Sequence, residues 1–239
     1  PYSFRCIPQV HGPVQETLQK LMDTVAIELN SSTDNPLIFP DVENPGSHEV
    51  VSQGNFHAEV LAIVSDTMSL ALFELSSISE RRIDQMLDPS RLAIRPFLAE
   101  NPGLESGLMI VQYAAAAALG ELRGHASPRT AFSTTTSAGQ EDHVSMGATA
   151  SWNLLEAIQR CSEVIACEAF VAHRALKIID KKSSTCIESF MRCMNNVIDE
   201  GMSDRSTSDE IISLASNLTQ STWLSIVQSA MTKPLRKSI

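Results

Sequence analysis

The sequence predicts an all-α protein, an elongated bundle of long helices, on three observations. Apolar residues recur every three or four positions through long stretches free of proline and glycine. No run alternates apolar with polar residues as a half-buried strand requires. Of 239 residues, 43% are apolar and 19% charged, enough to build a core and too apolar for general disorder.

The elements follow in chain order. Val14, Leu18, Leu21, Met22, Val25 and Leu29 keep helical spacing and end in the polar Asn30-Ser31-Ser32. Residues 33–54 hold Pro36, Pro40, Pro45, Gly46 and Gly54, and read as an irregular segment too long for a plain connector. From about 56 to 87 the helical period returns at Val60, Leu61, Val64, Met68, Leu72 and Leu75, and Asp88-Pro89 stops it. At 1.5 Å per residue that helix would run ~45 Å. After a broken loop at 90–102, a helix over about 104–123 carries the small-residue run Ala114 to Ala118, which suits close packing on several sides. A Ser- and Thr-rich loop at 124–139 precedes a helical pattern over about 140–182, ~60 Å long. Residues 1–182 are expected to form the helical core, and 183–239 a tail of two or three shorter amphipathic helices packed on the same domain. So short a chain cannot cover every face of such helices alone, and oligomerisation through helix packing is expected.

Composition excludes several functions. Lys and Arg number 18 against 28 Asp and Glu, a net charge of −10, which does not suit a nucleic-acid backbone. Aromatics are 5%, too few for a base-stacking groove. The five cysteines form no Cys-x-x-Cys pair, which points to reduced thiols and a cytoplasmic location. The most apolar run, 108–119, is shorter than the ~20 residues of a bilayer span, so no membrane partner is expected.

Common motifs are absent. There is no glycine-rich nucleotide loop and no Gly-x-Ser-x-Gly elbow. His48-Glu49-Val50-Val51-Ser52 lacks the second histidine of a metalloprotease helix. Cys167 and His173 share a helix without facing each other, and no metal is expected.

Four segments carry more chemistry than packing needs. In Tyr2-Ser3-Phe4-Arg5 a phenol and a guanidinium stand three residues apart, although from composition alone a helix lead-in with a surface arginine explains them better. Thr33-Asp34-Asn35-Pro36-Leu37 reads as Asx-turn chemistry. In Gln53-Gly54-Asn55-Phe56-His57-Ala58-Glu59, Asn55 could cap the following helix and Glu59 suits its first turn, or Phe56 could line a pocket. Gln140-Glu141-Asp142-His143 opens the longest helix, where the carboxylates could serve the helix dipole, yet Gln140 and His143 exceed what a cap requires.

Together these segments resemble the aromatic amino acid ammonia-lyase family, and within it the histidine-acting branch. The matching residues are Pro1-Tyr2-Ser3, Arg5-Cys6, Pro8-Gln9, Asp34-Asn35-Pro36-Leu37, Gly54-Asn55-Phe56-His57-Ala58-Glu59, the Leu-Ser-Ser-Ile-Ser-Glu-Arg-Arg at 75–82, Ser106-Gly107, Met109-Ile110 and Gln140-Glu141-Asp142-His143-Val144-Ser145-Met146. The resemblance runs in order to about Ala175. It implies an ammonia-lyase/fumarase-like helical core assembling as a homotetramer. It also implies elimination of ammonia from a small-molecule amino acid by an electrophilic methylidene-imidazolone (MIO) group made from an internal Ala-Ser-Gly.

By resemblance, the catalytic residues are Tyr2, Arg5, Phe56 and Glu141. Arg5, Glu141 and Gln140 contact substrate, and Asn35, Asn55, His57 and His143 support them. Arg5 would take the carboxylate, Tyr2 would orient substrate or a proton, and Phe56 would flank the prosthetic group. Glu141 stands where phenylalanine-type members carry Gln, so it favours an imidazole substrate. No Ala-Ser-Gly occurs: Ala126-Ser127 precedes Pro128, Ala150-Ser151 precedes Trp152, and Ala215-Ser216 precedes Asn217. The expectation is therefore a C-terminal portion of such an enzyme, partnered by an N-terminal polypeptide that supplies the MIO. A phenylalanine or tyrosine lyase, an aminomutase or a modified-histidine lyase are the rivals of the same class, and a non-catalytic helical scaffold is the rival of another.

Overall fold

The computed structural model describes residues 1–92 and 94–231. The chain is helical as expected, with α1 (Tyr2–Arg5), α2 (Ile7–Glu28), α3 (Glu59–Leu87), α4 (Pro89–Leu92), α5 (Met109–His125), α6 (Gly147–Ile179), α7 (Thr185–Met194), α8 (Ser208–Leu218) and α9 (Ser221–Met231). The three tail helices α7 to α9 match the amphipathic pattern, and residues 232–239 of the tail lie outside the described residues.

Several boundaries differ from the periodicity. The segment 33–54 contains an antiparallel hairpin, β1 (Leu37–Pro40) with β2 (His48–Val51), Leu37 opposite Val51 and Pro40 opposite His48. Six of its eight residues are exposed, so no apolar alternation marks it in the sequence. The α3 helix starts at Glu59, because Ala58 takes a positive φ of 61° that breaks the helical path before it. The α6 helix starts at Gly147. The residues before it include Ser137 and Ala138 at φ 51° and 56°, so Gln140 to His143 form a structured loop and are not dipole partners of a helix. At the other end, α2 begins seven residues ahead of the periodic apolar face and carries Pro13 inside it.

The chain forms two compact units. One comprises Pro1–Ile7, Phe73–Arg123 and Ile158–Ile239, and the other Pro8–Leu72 and Gly124–Ala157. The first has the main core: Ile83, Leu87, Leu98, Leu108, Phe170, Val171, Met194 and Leu214 are each less than 3% exposed and cluster together. The α5 N-terminus is pinned from the tail, where Asp204 accepts hydrogen bonds from the backbone N–H of Ser106 (2.7 Å) and Gly107 (2.8 Å). A carboxylate there satisfies two donors of the sort that open a helix.

Apolar surface remains open. Along α2, Leu18, Met22 and Ile27 are exposed, and on α5 Ala115 and Ala118 are buried while Ala114, Ala116 and Ala117 are not. The α3 helix is by length and composition apolar enough to cross a bilayer, with 44% of its most apolar window buried. Its buried Ser65, Asp66, Ser69, Ser79, Glu80 and Arg82 each make a side-chain hydrogen bond, the polar content of a core helix.

Candidate active site

In the second unit, three of the sequence segments meet. The side-chain oxygen of Asn35 accepts hydrogen bonds from the Gln53 backbone N–H (3.0 Å) and the Ser52 hydroxyl (3.4 Å). The Gln53 amide donates to the Asp34 carbonyl, and its side-chain oxygen accepts from the Asn55 N–H. The Asn55 amide donates to the Ser32 carbonyl at 3.0 Å, so Asn55 ties two loops together instead of capping α3. Asn35 and Asn55 thus fix the backbone just ahead of Phe56.

The same segment reaches the 140–146 loop. His57 Nε2 donates to the His143 carbonyl at 2.8 Å, and the two imidazoles stack with centroids 5.5 Å apart and planes 12° off parallel. Gly147 sits close under Ala58: a Cβ there would lie 3.2 Å from the Ala58 carbonyl oxygen. Phe56 and Glu141 therefore ride on segments joined through His57 and His143. The Phe56 ring is 52% exposed.

Glu141 is anchored by a feature that sequence reasoning passed over. Its carboxylate accepts hydrogen bonds from the hydroxyls of Thr136 and Ser137, the latter at 2.9 Å. Those bonds, Thr136 first, hold its carboxyl below the usual carboxylate range. The signal was present in the hydroxyl-rich loop, but nothing in its composition says which hydroxyl turns inward. Gln140 is exposed, with its backbone N–H on the Ser137 carbonyl at 3.1 Å.

Tyr2 and Arg5 belong to the first unit, at the two ends of α1, and both side chains are exposed. Between them Ser3 is buried, and its carbonyl accepts from Arg82 Nη1 at 3.5 Å. Arg82 also donates through Nε and Nη2 to the two oxygens of Glu168, and the Ser79 hydroxyl bonds the same carboxylate. The Leu75 to Arg82 segment, to which the sequence assigned no site residue, thus supplies two members of a buried network with Ser3 of α1. A charge pair this enclosed needs all its partners.

A long-helix core with polar side chains on the loops and short elements beside it is the framework of the aromatic amino acid lyases. The chain belongs to that family: the model of the aromatic amino acid lyase family matches residues 1–196. Histidine ammonia-lyase from Bacillus velezensis is 39% identical over 224 residues, covering 93% of this chain and 43% of the relative. The crystal structure of histidine ammonia-lyase from Trypanosoma cruzi superposes with a TM-score of 0.89 at 34% identity, covering 96% of this chain and 45% of that one. Pantoea agglomerans phenylalanine aminomutase gives a TM-score of 0.86 at 33% identity, covering 93% of this chain and 43% of that one. The chain thus spans less than half the length of these relatives.

Proposed function

We propose that this chain is part of a histidine ammonia-lyase, converting L-histidine to trans-urocanate and ammonia once joined by the polypeptide that carries the rest of the fold. The observation that carries the choice of substrate is the Glu141 carboxylate, held ionised by Thr136 and Ser137 on an exposed loop. An imidazole N–H or a substrate ammonium is the natural partner for an acceptor-only group. A phenyl ring offers it nothing.

This chain contains no Ala-Ser-Gly, so an MIO group must come from outside it. Its exposed residues fit such a neighbour: the half-exposed Phe56 ring offers an apolar flank, and Glu141 an acidic one. When bound, the MIO supplies an electrophile that makes the amine a leaving group. Arg5 has no ion-pair partner among the described residues, which leaves its guanidinium fork available to take a substrate carboxylate in bidentate fashion. Tyr2, 75% exposed, presents a hydroxyl that orients the substrate or relays its β-proton. Phe56 packs beside the substrate, Gln140 contributes an amide, and Asn35, Asn55, His57 and His143 hold the wall in shape.

The open apolar faces of α2 and α5 support assembly as a homotetramer of the full unit. Five cysteines that are all free support a cytoplasmic location.

Replacing Glu141 by Gln in the assembled enzyme tests the reading. Histidine turnover should fall on the order of 100-fold, the size of a lost charged hydrogen bond, with phenylalanine turnover unchanged or improved. Unaltered histidine turnover would overturn the substrate assignment. Absence of MIO absorbance in the assembled complex would make the protein a scaffold.

A further inference from the structure

The hydrogen-bond network around His57 and His143 leaves one ring nitrogen on each without a hydrogen bond, and both rings lie beside the Glu59 carboxylate. His57 Nε2 lies 2.8 Å from the His143 carbonyl oxygen, which can only accept, so the proton of a neutral His57 sits on Nε2. Its Nδ1 is then a lone pair, and it faces the Glu59 carboxylate at 3.9 Å. Two acceptors facing each other are unfavourable unless a cation lies between them.

His143 is fixed in the same way. The Ser133 hydroxyl donates to the Val144 carbonyl (2.9 Å) and accepts from the Val144 N–H (3.1 Å). Having spent its proton, it can only accept from His143 Nδ1, 3.2 Å away. His143 Nε2 is thereby left as the second lone pair. One ligand atom from each of His57, Glu59 and His143 lies within 4.8 Å of the others.

We propose that His57 Nδ1, His143 Nε2 and the Glu59 carboxylate form a site for a divalent transition-metal ion of the zinc type. Two imidazoles and one carboxylate are a recurrent zinc donor set that leaves a fourth position for water. Each ring has the second partner that metal-bound histidines use, a backbone carbonyl for His57 and a hydroxyl for His143. Donor atoms around four-coordinate zinc stand ~3.3 Å apart, so the side chains must close by about 1.5 Å from the 4.8 Å limit, within the reach of partly exposed groups. Borderline imidazole and carboxylate ligands select zinc or cobalt over magnesium or calcium. The ion would clamp the Phe56 segment to the Glu141 loop, 86 residues away in sequence through the His57 to His143 bond.

The test is metal binding, read independently of lyase activity. The assembled protein, stripped with chelator and with its thiols alkylated, is titrated calorimetrically with Zn²⁺ and followed by cobalt absorbance with Co²⁺. One equivalent should bind per chain, with the visible bands of a four-coordinate cobalt site, and the melting temperature should rise. His143→Ala and Glu59→Gln should each weaken binding at least tenfold, with unchanged helicity by circular dichroism as the folding control. Ser133→Ala keeps every ligand and frees only the His143 tautomer, and should weaken binding on the order of 10-fold. No saturable binding up to ~100 µM Zn²⁺, a range that covers sites of about −5.5 kcal/mol or better, would overturn the site. Binding that His143→Ala leaves intact would overturn it as well, and the His57–Glu59 contact would then be a plain proton-mediated pair.

Discussion

Thr136 and Glu141 are joined three times. The Thr136 N–H donates to the Glu141 carbonyl at 2.9 Å, the Glu141 N–H donates back to the Thr136 carbonyl at 3.4 Å, and the Thr136 hydroxyl donates to the Glu141 carboxylate. The backbone pair closes the loop, and the hydroxyl sets the charge of the side chain that faces out of it. The sign of the effect follows: a carboxyl lowered in the folded protein stays ionised as pH falls through the ordinary carboxylate range, and protonates only below it. Removing the hydroxyl in Thr136→Val should therefore move the acid limb of the kcat/KM profile for histidine to higher pH. An acid limb that does not move would show that Glu141 is not the group titrating in catalysis.

Arg5 is exposed at the end of α1, and its proposed partner is a substrate carboxylate. Lysine keeps the charge and loses the planar fork. Arg5→Lys should raise KM on the order of 10- to 100-fold with a smaller change in kcat, measured by initial rates over a substrate series. An unchanged KM would place the carboxylate elsewhere.

The Arg82–Glu168 pair is enclosed, its side chains 9% and 19% exposed, and it carries Ser79 and the Ser3 carbonyl as further partners. Glu168→Gln removes the charge without changing the volume and leaves Arg82 without its counter-charge. Breaking such a pair costs about 3 kcal/mol. The midpoint of urea unfolding should fall accordingly, and a midpoint that stays put would mean that water replaces the carboxylate.

Gly107 holds a φ of +58°, and a Cβ there would stand 2.5 Å from the Phe97 carbonyl oxygen and 2.8 Å from the Ala99 nitrogen. Both obstacles are backbone and cannot swing aside. Gly107→Ala should destabilise by more than ~1 kcal/mol through strain and through loosening of the Asp204 contact. Thermal unfolding measures it, and a wild-type melting temperature would show that the 97–99 turn can shift.

The 3.6-residue period of Val60 through Leu75 was legible without any coordinates, because an apolar face imposes the helix repeat on the sequence. So was the family, since Tyr2, Arg5, Phe56 and Glu141 stand in segments that carry its motifs. Tertiary structure decided the rest. The 37–51 hairpin lies mostly exposed and leaves no apolar rhythm, and the start of α6 at Gly147 rests on backbone angles at Ser137 and Ala138 that no side-chain pattern encodes. Above all, only the fold could bring His57 to His143, Arg82 to Glu168 and Asn35 to Gln53. Hydrogen bonds between distant segments depend on where the chain returns in space. Local sequence determines which groups are available, and packing determines which of them meet.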